Sequence, residues 1–138
     1  MSFNKNIVGI VDDDTYIAKL FDDALRENIN GILVFSFTDP IIAFEHFVQN
    51  KDNYVLVISD LRMPGLNGLE LLKKVKTSNP KVRTILISAY NFDEEELYQS
   101  YMIEQVINST IEKPVTMNRL YQKVRDELNA YQVGSTSI

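Results

Sequence analysis

Three carboxylates, a hydroxyl and an ammonium stand just past short apolar runs in this chain of 138 residues. Asp12 and Asp13 follow IVGIV, Asp60 follows YVLVIS, Ser88 closes VRTILIS, and Lys113 lies between Glu112 and Pro114 after the run ending at Ile111. Carboxylates crowded at one place repel, and one of them takes up a proton unless a cation intervenes. A hard divalent ion answers that need: Mg²⁺, for which Mn²⁺ can substitute, takes oxygen ligands, commonly one or two carboxylates together with phosphate oxygens. An aspartate is a competent nucleophile toward phosphorus. Beside it, Ser88 can donate a hydrogen bond to a phosphoryl oxygen, and Lys113 can neutralise its charge. Asp14, or Thr15 after it, is assigned to capping the helix that follows rather than to metal.

These groups can meet only if the runs that carry them lie side by side. Candidate strands are Ile7–Val11, Ile32–Phe37, Tyr54–Ser59, Val82–Ser88 and Val106–Ile111. The apolar stretches Ile7–Val11, Val55–Ile58 and Ile85–Ile87 have the pattern of parallel strands covered on both faces. Between the strands lie helical patterns. In Thr15–Asn28, the residues Ile17, Leu20, Phe21, Ala24 and Leu25 recur at helical spacing. Asp39 before Pro40 reads as an N-cap opening Pro40–Gln49, and Asn67 with Glu70 resembles a capping box for Gly68–Thr77. The acidic run Asp93–Glu96 suits the N-terminus of a fourth helix bearing Leu97, Tyr98, Tyr101 and Met102. Met117, Leu120, Val124, Leu128 and Tyr131 stripe a last helix begun by Thr116. Five alternating βα units with right-handed crossovers give a doubly wound parallel α/β sheet in three layers. Ligands of such sheets bind beyond the carboxyl ends of the strands, where strand order reverses. The expected domain is 1–131, with 132–138 (QVGSTSI) as a polar, frayed tail or linker stub.

Composition narrows the function. Hydrophobic residues make up 45% of the chain and charged ones 24%, which is ordinary for a globular domain. A net charge of −5 argues against direct nucleic-acid binding. The absence of cysteine removes thiolate catalysis and disulfides. No apolar run approaches the roughly 18 residues of a membrane span, and the expected location is cytoplasmic. Asp12, Asp13, Asp60 and Lys113 account for −2 of the net charge, which one divalent ion would neutralise. His46, the single histidine, is read as a helix residue and not as a phosphohistidine.

The segments IVDDD (10–14), VISDLRMPGLNGLELL (57–72), TILISAY (84–90) and EKP (112–114), in this order, resemble the receiver domain of two-component response regulators. The resemblance implies a flavodoxin-like (βα)5 fold, strand order 2-1-3-4-5, and a phosphorelay role without turnover of a substrate. By the same resemblance Asp60 is the phosphoacceptor, Asp13 a direct Mg²⁺ ligand, Asp12 a ligand mainly through water, and Arg62 a ligand through its backbone carbonyl. Ser88 is the switch hydroxyl, Lys113 pairs with the phosphoryl group or Asp60, and Pro114 follows a cis peptide bond. Arg62 and Tyr90 fall where side chains sit over the phosphoryl group, and they are expected to shield it from water. Thr110 stands where the family usually carries an aromatic switch residue. The implied partners are a histidine kinase or histidine phosphotransfer protein and a downstream protein or effector domain. The face of the last two helices and the fifth strand would be the output surface, and it could also form a homodimer.

Two other readings compete. One is a Mg²⁺-dependent phosphatase of the haloacid-dehalogenase type, with Asp12 as nucleophile and Asp14 as its partner; it leaves Asp60 unexplained. The other is a receiver-like interaction module insensitive to phosphorylation, which Thr110 keeps open.

Overall fold

The computed structural model describes residues 5–89, 99–100 and 104–136. Five parallel strands, β1 (Ile7–Val11), β2 (Leu33–Phe37), β3 (Tyr54–Asp60), β4 (Arg83–Ser88) and β5 (Ser109–Glu112), form one sheet in the order β2-β1-β3-β4-β5. Among the described residues the long helices are α1 (Thr15–Asn28), α2 (Pro40–Gln49), α3 (Gly68–Ser78) and α4 (Met117–Thr136). The fourth helical pattern of the sequence, from Asp93 to Met102, lies almost wholly outside the described residues.

Local signals set the helix starts. The Asp14 side chain accepts hydrogen bonds from the N–H groups of Tyr16 and Ile17. Asp39 caps α2 by accepting from Ile41 N–H, and Asn67 and Glu70 exchange both bonds of a capping box. Thr116 Oγ1 accepts from Arg119 N–H at the start of α4.

The central strands are buried along their whole length, as the apolar runs require. Their alternating side chains feed two cores. One, holding Val57, Leu72, Val75 and Leu86, lies toward α2 and α3. The other, holding Ile10, Ile58, Ile87, Leu120 and Val124, lies toward α1 and α4.

Three expectations are corrected. Val106 and Ile107 are buried as a strand's residues would be, yet β5 starts only at Ser109. The chain turns with Gln105 at φ 63°, and side-chain bonds then stand in for the ladder: Thr84 Oγ1 donates to the Val106 carbonyl at 2.6 Å, and Thr84 N–H donates to Asn108 Oδ1 at 3.0 Å. Leu20, placed in the buried stripe of α1, is 37% exposed. The stretch from Gln132 to Thr136 continues α4 instead of fraying.

Candidate functional site

The order β2-β1-β3 makes the chain reverse direction across the sheet between β1 and β3, so a crevice opens beyond their carboxyl ends. Asp12 and Asp13 leave β1 at that point, and Asp60 ends β3, with Val11 in register with Ser59. Carboxylate oxygens of Asp12, Asp13 and Asp60 all lie within 4.8 Å of one another. Asp12 and Asp60 are buried and Asp13 is exposed. Lys113, at the end of β5, crosses the mouth of β4 to place its Nζ 2.8 Å from Asp60 Oδ1. Its N–H donates to the Ser88 carbonyl at 2.9 Å, which ties the two strand ends together. The Lys113–Pro114 peptide is cis. Ser88 is buried at the end of β4, beside Glu112 in the register.

The electrostatics follow from this crowding. Burial, with the charges of Asp60 and Asp13, raises the Asp12 carboxyl from 3.8 to about 6, against the lowering influence of the Asp14 N–H bond and Lys113. Burial alone would lower the Lys113 ammonium; its hydrogen bond to Asp60 and the charges of Asp60, Asp12 and Asp13 outweigh that and raise it. A buried carboxylate held this far above its ordinary range, with two more beside it, fits a divalent cation.

The loop after Asp60 is built around small residues. Gly65 has φ +86°, a conformation that favours glycine. At Gly68 a Cβ would lie 2.3 Å from the Asp60 carbonyl oxygen and 2.8 Å from Leu86 Cδ1, so α3 can start this close to the acceptor only without a side chain. Gly68 N–H donates to the Leu61 carbonyl at 2.8 Å, closing the loop. The sequence marks Gly68 only as the first residue of a capped helix; the steric need for glycine there comes from the Asp60 carbonyl and Leu86 of the neighbouring strands.

Arg62 is exposed two residues beyond Asp60. Thr110 is half-buried on β5, on the face opposite Ser109 and Ile111. Tyr90, Tyr98 and Tyr101 lie outside the described residues. Tyr121 accepts a hydrogen bond from Asn28 at 2.9 Å and has Arg125 over its ring, so it packs α4 on α1. His46 is far from phosphoryl chemistry in its packing: its ring lies against Phe35 and Phe37, and Nδ1 is 2.7 Å from the Tyr54 hydroxyl. Asp14, which a dehalogenase-type phosphatase would need in the site, is instead exposed and spent on the cap of α1.

The fold and the site together define a doubly wound α/β domain with an acidic pocket and a paired lysine at its topological switch point. A family model described as the response regulator receiver domain matches residues 8–125, and the chain belongs to that family. The chain is 28% identical over 128 residues to the DNA-binding transcriptional regulator NtrC of Escherichia coli K12, covering 93% of this chain and 26% of that protein. It is 32% identical over 133 residues to the hydrogenase transcriptional regulatory protein HoxA of Cupriavidus necator, covering 94% of this chain and 26% of that one. It thus spans about a quarter of the length of these curated relatives. Among solved structures, a response regulator receiver domain protein from Clostridium thermocellum superposes with a TM-score of 0.80 at 23% identity, over 93% of this chain and 98% of that one. The likeness in structure confirms the flavodoxin-like fold and strand order 2-1-3-4-5, and the family assigns the chain to two-component signalling as a receiver. Neither comparison supports the phosphatase or the phosphorylation-insensitive module.

Proposed function

We propose that Asp60 accepts a phosphoryl group from a phosphohistidine on a histidine kinase or histidine phosphotransfer protein. The observation that carries the reading is the Lys113–Asp60 pair at 2.8 Å, within a cluster whose other carboxylates lie within 4.8 Å. In the transfer, a carboxylate oxygen of Asp60 forms a bond to phosphorus while the bond from phosphorus to the imidazole nitrogen breaks, its electron pair staying on nitrogen. Lys113, already aimed at the acceptor, neutralises charge on the phosphoryl oxygens, and the Ser88 hydroxyl donates to one of them. Mg²⁺ held by Asp13, Asp60, the Arg62 carbonyl and, through water, Asp12 would supply positive charge against the phosphoryl oxygens.

The chain phosphorylates and dephosphorylates only itself and turns over no separate substrate. Arg62 and Tyr90 slow the loss of phosphate by covering it. The response is read on the face of the last two helices and β5, which also offers a homodimer contact, by a downstream protein or effector domain. Thr110 makes that readout differ from one that turns an aromatic ring. We take 1–131 as the receiver unit and 132–138 as its connection, and place its work in the cytoplasm. Among the described residues no helix is long and apolar enough to cross a membrane.

The test is to treat the protein with a small phosphodonor and Mg²⁺ and map the modified residue by mass spectrometry. A phosphoryl group on Asp60, lost in Asp60→Asn, is the expected result. Label on Asp12, or none under conditions where Mg²⁺ binds, overturns the reading.

A further inference from the structure

A dense run of positive charge in this acidic chain has no part in the phosphoryl site. Lys73, Lys74, Lys76, Lys81 and Arg83 fall within 73–83, a stretch without an acid, while the chain as a whole carries −5. They gather about the end of α3 and the start of β4, at the edge of the sheet opposite Asp60. Two are engaged: Lys74 lies over the Phe44 ring, and Arg83 Nε meets Glu127 at 2.7 Å. Beside them a cleft of about 310 Å³ is lined by Lys73, Lys76 and Thr77 of α3, by Pro80, and by Glu104 and Gln105 ahead of β5. Lys76 is half-buried in its wall, and Nζ donates a long bond of 3.4 Å to the Pro80 carbonyl. Burial first, then the Arg83 charge, lowers the Lys76 ammonium to about 8, against the opposing influence of Glu127. Lys73 and Glu104 are the other charged groups of the cleft.

We infer that Lys76 is a modification site, whose amine takes a short acyl group from a thioester carried on a nucleotide polyphosphate, the class of acetyl coenzyme A. In the reaction the lone pair of neutral Nζ bonds to the acyl carbon. The carbon–sulfur bond breaks with its electron pair on sulfur, nitrogen gives up one proton, and the products are an amide and a thiol. No oxidant or reductant is needed. The neutral amine is the nucleophile, and the wall that covers Lys76 and the Arg83 charge beside it both favour that form. The amide product carries no charge, so the same burial favours it over the ammonium, and its N–H can still donate to the Pro80 carbonyl. The cleft has room for a short acyl chain. Lys73 lines it, and Lys81, exposed one residue beyond Pro80, adds positive charge for the polyphosphate.

The full chain is incubated with acetyl coenzyme A or with the uncharged acetyl thioester of N-acetylcysteamine, and acetylation of each lysine is timed by peptide mass spectrometry from neutral to alkaline pH. At pH 7 Lys76 should lead the exposed Lys51 and Lys81 about tenfold with either donor, its larger neutral fraction outweighing its lower basicity. Its rate should level off above about pH 8. In urea the lead should vanish. Lys73→Gln combined with Lys81→Gln should cut the ratio of the acetyl coenzyme A rate to the uncharged thioester rate at Lys76 about fivefold, since both side chains are exposed and act through charge alone. No lead in the folded protein, or a lead that persists in urea, overturns the site. An unchanged donor ratio in the double variant overturns the polyphosphate donor, and with it the inference.

Discussion

Asp12→Asn in the metal-free protein should make the fold more stable at neutral pH and distinctly less so in acid. Asp12 is 5% exposed, and its carboxyl is raised from 3.8 to about 6, first by burial and then by Asp60 and Asp13. In the unfolded chain the group titrates near its ordinary value, so between about pH 4 and 6 the folded protein holds the extra proton. A folded value above the unfolded one contributes stability that is complete below the unfolded value and lost as pH rises through about 6. Two pKa units at about 1.4 kcal/mol each place the penalty of the ionised group at about 3 kcal/mol above pH 7, and about 1 kcal/mol at pH 4.5. Asparagine keeps a side-chain oxygen able to accept from Asp14 N–H, a bond of 2.9 Å here, so the substitution removes charge and little else.

Urea unfolding of wild type and variant in EDTA reads this directly. The variant should gain about 3 kcal/mol at pH 7.5, on the order of 10 °C in Tm, and about 1 kcal/mol at pH 4.5. A variant no more stable than wild type at pH 7.5, or a gain of equal size at both pH values, refutes the claim that crowding and burial set the charge state of this site.

Three further outcomes follow from contacts already described. Gly68→Ala should lose about 2 kcal/mol in urea unfolding despite alanine's better helix propensity, since its Cβ would meet the Asp60 carbonyl at 2.3 Å; a neutral or stabilised variant would show that α3 can retreat from the acceptor. Glu127, 4% exposed, receives Arg83 Nε at 2.7 Å and the Ser109 hydroxyl. Glu127→Ala should lose about 3 kcal/mol and Glu127→Gln distinctly less, both by urea unfolding. Lys113→Ala removes the ammonium that pairs with Asp60 and also lowers Asp12, so the Asp12 midpoint in a carboxyl NMR titration should move above its wild-type position of about 6, and an unmoved midpoint would contradict the pairing.

The boundaries of β1, α1 and α2 were legible because their causes are local: a run of five apolar residues, and Asp14 and Asp39 as caps. The groups of the site were legible for the same reason, each standing at the end of an apolar run. That they converge is a non-local fact. Periodicity says that strands exist and leaves their order open, and the order came from the family motifs. Where side chains replace backbone pairing, the pattern misleads. Val106 and Ile107 are apolar and buried, but Thr84 and Asn108 take the bonds a longer β5 would have made. Leu20 obeys the helical spacing yet is 37% exposed, because α1 faces the start of α4 across an open cleft at that point. Nothing in the helical spacing marks Glu127, because its partners, Arg83 and Ser109, are 44 and 18 residues away.

Asp12→Asn and a bound divalent ion relieve the same repulsion, and this gives the stability argument a second, independent arm. At pH 7.5 wild type should be stabilised by Mg²⁺ in proportion to the logarithm of its concentration, reaching about 2.7 kcal/mol at a hundred times the dissociation constant. The variant starts with one negative charge fewer among carboxylates that lie within 4.8 Å of one another, so it has less to gain and holds the ion more weakly. The two effects must therefore fall short of additive. The shortfall should shrink as pH drops below about 6, where a proton on Asp12 already does what the substitution does. If wild type and variant respond equally to Mg²⁺ at pH 7.5, the ion does not sense Asp12, and the carboxylate cluster at the switch point is not where it binds.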